Sequence, residues 1–108
     1  MGSTDPHAQD EKRAAHRALV DGVLYGSGTT TAEQRTAAFH NVAADRAWQP
    51  LLGKVVTGAA GITDVDFDLA RAAGLSDDQL FELVIAAAVG QSTRMYESGL
   101  AALDKAAG

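Results

Sequence analysis

The chain has 108 residues and a formal net charge of −5, from 14 acids against 9 bases; 46% of its residues are hydrophobic but only 6% are aromatic. That length holds one domain, and the scattered bases exclude the clustered positive surface that nucleic acid requires. The absence of cysteine excludes disulfides, thiol nucleophiles, thiolate metal sites and dithiol redox cycles together.

The opening "MGSTDPHAQDEKR" has no apolar stretch of the signal-peptide kind. Residues 1–9 are polar and carry Pro6, so they are expected to form a flexible tail ahead of a single helical domain over 10–108. From Asp10, "DEKRAAHRALVDGVLYG" predicts a helix with acids at its start, a short apolar stripe of Leu19, Val23 and Leu24, and a stop at Gly26. "GSGTTT" is a loop. Thr30 and Glu33 then fit a capping box, in which a threonine bonds the amide three residues on and the glutamate bonds back. The helix this opens carries Phe39, Val42 and Ala43 on one face, with Trp48 near its end.

"QPLLGKVVTG" restarts with proline in a first turn and is strongly apolar at Leu51, Leu52, Val55 and Val56. "TGAAG" breaks it. "TDVDFDLARAAG" follows, capped by Thr63 and closed by Gly74. Ser76 and Gln79 make a second capping box, after which Asp77 to about Lys105 is helix-compatible throughout. This last stretch is either one long helix or two with a kink at Gly90. No segment alternates apolar and polar residues as a strand would, and no apolar run approaches the ~18 residues of a membrane span. The expectation is an all-α, compact bundle of five or six helices in the cytoplasm.

At ~100° per residue, Leu80, Leu83, Val84 and Ala87 share one face of the last helix, and Ile85, Ala86 and Val89 cover much of the other, with Glu82 among them. Much of the hydrophobic content is alanine, which buries little area per residue, so such a chain gains from oligomerising. The second face is therefore either a subunit interface, with Ala86, Ala87, Ala88 and Gly90 permitting close helix approach, or a face enclosed by the chain itself.

Three acids, Asp64, Asp66 and Asp68, stand in five positions. A calcium loop of the D-x-D-x-D type needs glycine at its sixth place and glutamate at its twelfth; those places hold Leu69 and Leu75. Asp64 and Asp68 fall on one face with Arg71, where Asp68 and Arg71 can pair and acids complement the helix dipole. Asp66 points instead toward the packed side. A carboxylate there is paired, protonated or lining a cavity, or it bonds the free amides at the helix start.

The run from Asp66 through Ala70 to "GLSDDQ" at 74–79, followed by "LFELVIAAAVGQSTRMYESGLAALD", resembles the alkylhydroperoxidase D-like and carboxymuconolactone decarboxylase proteins. The likeness is strongest over residues 50–105. Similar sequences carry C-x-x-C-x-x-x-H before the same frame. Aligned on Ala70 and Gly74, their histidine position is Asp66, and their cysteine positions are Ala59 and Ile62. The resemblance implies an all-helical fold assembled as a trimer or hexamer, with sites near subunit contacts. Peroxidase chemistry does not carry over, because all three redox and relay residues are absent.

Glu82, on the second apolar face, is expected to have a raised pKa and to act as a general acid or base, or to bridge to Arg94 of a neighbouring copy. Tyr96 and Glu97 project within ~60° of it on a continuous helix, and Arg94 can pair with Glu97. His40 sits at the rim of the Phe39/Val42 face. Histidine spacing offers no metal site, and no cofactor motif is present. Two functions stay open. One is a non-redox member of the family with a small-molecule pocket and acid–base chemistry by Asp66 and Glu82, with His40, Arg94, Tyr96 and Glu97 in the pocket or interface. The other is a non-catalytic assembly or binding protein that keeps only the fold.

Overall fold

The computed structural model describes residues 6–42 and 47–107. Five α-helices follow in order: α1 (Pro6–Tyr25), α2 (Ala32–Phe39), α3 (Gln49–Thr57), α4 (Asp64–Ala72) and α5 (Asp77–Ala107), with one 3-10 turn at Ala59–Gly61 between α3 and α4. Among the described residues there is no strand, so the all-α expectation holds.

Helix α1 starts at Pro6, four residues earlier than the acids at Asp10 and Glu11 suggest. Proline suits a first turn, where its missing N–H costs nothing and its fixed φ is already helical. Helix α2 is capped one residue later than expected. Thr31 accepts the Gln34 amide at 3.1 Å, and Gln34 accepts the Thr31 amide at 2.9 Å. Thr30 instead donates both its amide and its hydroxyl to Glu82, so its amide is not free for the reciprocal bond of a capping box. The helix also ends early, at Phe39, and Asn41 follows in the left-handed region at φ 56°. Val42 is therefore outside it and exposed, while Ala43 lies outside the described residues.

The capping box at Ser76 and Gln79 forms as expected, with bonds of 2.9 and 3.2 Å. Gly74 sits at φ +100° just beyond α4, the place and conformation of a helix-closing glycine. Helix α5 is continuous for 31 residues, about 46 Å at 1.5 Å per residue. It sets the long axis of a molecule measuring 50 × 29 × 20 Å. The radius of gyration is 16.2 Å, against roughly 13 Å for a compact domain of this length. The bundle is thus more elongated than the compact one expected.

The core gathers on one side of α5. Ala38, Leu51, Ala70, Leu75, Leu80, Leu83 and Ala86 form the buried cluster, with Val23, Trp48, Phe67 and Val84 packed around it. Leu51 and Leu83 are the largest fully enclosed side chains. Ala86 belongs to this core rather than to a second, outward face. Of the α1 stripe, Leu24 is buried, but Leu19 is 53% exposed.

Helix α2 lies closest to α5 at Gly90, which does not kink α5. A Cβ at Gly90 would collide with the backbone carbonyl of Phe39, so the crossing requires glycine there. Arg94, one turn further along, donates to that same Phe39 carbonyl at 2.6 Å, satisfying a group that the end of α2 leaves free. Arg35 acts likewise on α1: its guanidinium is buried and donates to the carbonyls of Gly26 at 2.7 Å and Val23 at 3.3 Å.

Replacing Gly90 by alanine sets a methyl group against backbone rather than against a yielding side chain. Overpacking of that kind costs about 1–3 kcal/mol. Gly90→Ala should therefore lower the urea midpoint by that equivalent, whereas Gly22→Ala in α1, with open space around it, should be neutral or slightly stabilising through helix propensity.

Candidate functional site

The two carboxylates singled out by sequence occupy separate hydrogen-bond networks with no partner in common. Asp66 stands in the first turn of α4 and is 4% exposed, so its inward direction is as expected. Lys54, from the last turn of α3, donates to Oδ2 at 2.8 Å and to Oδ1 at 3.1 Å. The Thr63 amide donates to Oδ2 at 2.8 Å and the Thr63 hydroxyl at 3.3 Å. The carboxylate therefore reaches back over the start of its own helix and ties α4 to α3. The Lys54 ammonium, followed by the Thr63 amide, holds its pKa below the ordinary 3.8 despite burial.

Glu82 is held by a loop. Gly28, Thr29 and Thr30 fold around its carboxylate, which accepts the Thr29 amide at 2.8 Å, the Thr30 amide at 3.0 Å and the Thr30 hydroxyl at 2.7 Å, together with the Thr29 hydroxyl. A side chain at position 28 would run into Oε1, so glycine there lets the carboxylate seat against the loop without shifting. The loop was legible only as "GSGTTT"; nothing in that string points to an acid 52 residues away. The expected raised pKa of Glu82 is corrected. The hydroxyl and amide of Thr29, then those of Thr30, stabilise the anion and hold the carboxyl down from 4.5 to about 2. The suggested bridge to Arg94 of another copy is replaced by this loop within the chain.

The remaining predicted residues divide. Arg94 is committed to the Phe39 carbonyl and to Gln91 at 3.3 Å, so it forms no pair with Glu97. His40 follows the last turn of α2, exposed, with its ring edge-on to Phe39 at 5.0 Å. Asp68 and Arg71 pair as expected, but loosely, at 3.4 Å; Arg71 binds Asp77 more closely, at 2.8 Å.

Tyr96 and Glu97 come together in a cleft of about 290 Å³ between α1 and α5. Helix α1 contributes Arg13, His16, Arg17 and Val20, and α5 contributes Thr93, Tyr96, Glu97 and Leu100. Each set has i, i+3, i+4, i+7 spacing, one face of a helix. The His16 and Tyr96 rings stack at 5.1 Å and 26°. His16 was missed by sequence reading, which weighed it only as a metal ligand. Its hydrogen-bond partner, Thr93 at 2.9 Å, lies 77 residues away, and no local pattern joins the two helices. Among the described residues no group of three or more His, Cys, Asp or Glu is placed to hold a metal ion. No described helix is long and apolar enough to cross a membrane.

No family model, no curated protein and no solved structure matches the chain.

Both carboxylates have lowered pKa values. Each therefore adds stability in full above its unfolded-state value, 3.8 for Asp66 and 4.5 for Glu82, and loses it as pH falls through the lower folded value. The urea midpoint should be level near neutrality and fall from pH 4.5 toward about 2. In Glu82→Gln the amide oxygen can still accept, but the NH2 that replaces the other oxygen faces donors and accepts from none of them. That should cost about 1–2 kcal/mol at pH 7, less than for an enclosed charge because water reaches the site. It should also flatten the acid limb, and an unchanged limb would remove Glu82 from it.

Proposed function

We propose that this chain is a non-catalytic assembly protein: a helical frame of the alkylhydroperoxidase D-like type that associates with copies of itself through the outer face of α5. One observation carries the reading. Phe81, Ile85, Ala88, Ser92, Met95, Gly99 and Ala102 follow one another at alternating four- and three-residue steps, the spacing of a helix–helix seam. Ile85 is half-buried and the other six are exposed, Phe81 at 66% and Met95 at 65%. Leu103, beside the seam, is 64% exposed. No position in the seam is charged, so its complement is another uncharged helix face, and a second copy supplies one. Small residues alternating with Phe81 and Met95 allow close approach.

The shape supports the same reading. Buried positions on α5 end at Gly90, yet the helix continues for 17 more residues to Ala107. A helix end with so little packing is marginal by itself, and pairing along the seam would cover it. The non-catalytic part rests on the two carboxylates. A general acid or base works best with a pKa near the working pH, and the surroundings of Asp66 and Glu82 drive both the other way. Their bonds tie structure together: α4 to α3, and the loop before α2 to α5.

Light scattering on the purified chain should give a mass that is a multiple of 11.2 kDa, with the resemblance favouring three or six copies. Phe81→Glu/Met95→Glu places like charges in the seam and should yield monomer with unchanged helix content. A wild-type chain that stays at 11.2 kDa at tens of micromolar would overturn the assembly reading.

A further inference from the structure

We propose that the cleft between α1 and α5 binds a small aromatic monocarboxylate, through Arg13 and Arg17 for the carboxylate and through Tyr96, Val20 and Leu100 for the ring. The cleft lies roughly 120° around α5 from the Phe81–Ala102 seam, so it is a separate surface from the one assigned to assembly.

The anchored part of the cleft is His16. The Thr93 hydroxyl donates its one proton to the Val89 carbonyl at 2.8 Å. At 2.9 Å from His16 Nε2 it can therefore only accept. Nε2 carries hydrogen, and in the neutral ring Nδ1 is left as an acceptor. The Tyr96 ring stacks on this fixed imidazole, giving a rigid aromatic wall. Half-buried Val20 and Leu100 add apolar surface.

Around this wall the charges are unspent. Arg13 and Arg17 line the cleft and have no hydrogen bond or ion pair among the described residues. Elsewhere in the chain the described arginines Arg35, Arg71 and Arg94 are all engaged. Two guanidinium groups on one helix face, four residues apart, offer paired donors to a planar carboxylate. Glu97 lines the same cleft with no hydrogen bond or ion pair among the described residues, so two guanidinium groups against one carboxylate leave a net +1. That balance suits one negative charge and disfavours two. A volume of about 290 Å³ is at the small end of ligand sites, fitting a single ring with its carboxylate rather than a nucleotide.

Benzoate is the probe. Amide chemical shifts of the whole chain should move saturably with benzoate, at a Kd on the order of 0.1–1 mM, with the largest changes at residues 13–20 and 93–100. Benzamide, the uncharged isostere, should bind at least tenfold more weakly. Phenyl phosphate, a dianion near neutral pH, should also bind more weakly, and Glu97→Gln should narrow its deficit. Arg13→Ala/Arg17→Ala should cut benzoate affinity at least tenfold while leaving the urea midpoint within error, since both side chains are exposed. The Phe81→Glu/Met95→Glu variant should keep benzoate binding, which separates this site from the assembly reading. The proposal is overturned by any of three results: no saturation with benzoate to 10-fold above that range, equal binding of benzamide, or affinity unchanged by loss of both arginines.

Discussion

The packing of α2 on α5 depends on the missing side chain at Gly90. At that point the Phe39 carbonyl comes within the space a methyl group would fill, so two helix backbones meet with no side chain between them. Close approach has a consequence for polar groups: the following turn serves the carbonyls of Thr36, Ala37 and Ala38, and the Phe39 carbonyl, set against α5, takes its donor from elsewhere. Arg94 supplies it from the next turn of α5. On the other side of the crossing, Glu82 holds the loop that leads into α2. Helix α2 has only eight residues, too few to be stable alone. It is held at both ends by side chains of the helix it crosses, and its Arg35 in turn caps the last turn of α1. Glu82, Gly90 and Arg94 on α5 thus act as one device, spaced over about three turns.

The two buried or clasped carboxylates perform one task in two settings. Each accepts free amides at the start of a helix or in the loop before one, and each joins segments that are distant in space. Anions are favoured where unpaired amides converge, and these amides add to the lowering that the Lys54 ammonium begins at Asp66 and the Thr29 hydroxyl begins at Glu82. Lys54 adds a counter-charge for Asp66. Glu82 has none among its hydrogen-bond partners; two amides and two hydroxyls suffice. A short core rich in alanine leaves little apolar area for holding helices together, and charge-assisted hydrogen bonds carry part of that work here.

What could be read from sequence was what depends on near neighbours. The Ser76/Gln79 box, the closing Gly74, the inward direction of Asp66 and the Asp68–Arg71 pair are all set within four residues, and all are found. The α2 cap shows why such reading can fail by one position. Thr30 and Thr31 are equivalent by local rule, and the choice between them is made by Glu82, which is distant in sequence. The same holds for Glu82 itself: its helical face was legible, but the sign of its pKa shift was not, because the donors come from the loop at 28–30. The face of α5 left open was likewise misplaced. Ala86, expected either at a subunit interface or enclosed by the chain itself, is buried in the core, and the exposed arc turns toward Phe81, Ala88 and Met95. Burial on a helix apolar all round is decided by where partner helices end, and α2 ends three residues sooner than the apolar pattern through Val42 implies.

Helix α5 consequently serves three directions along its length. Its first half buries Leu80, Leu83, Ala86 and Ala87 against α2 and α3, and binds the loop through Glu82. Its second half keeps one bond to α2, from Arg94 to the Phe39 carbonyl, and meets α1 on the side of Thr93 and Tyr96, where the cleft lies. The remaining direction is the uncharged seam. A single helix with one face committed to the core, one to a cleft and one to a flat seam must be straight, since a kink would throw the later residues of the seam out of line with the earlier ones. The residues that meet α2 and those of the proposed assembly seam thus lie on one continuous helix, and α2 forms no part of that seam.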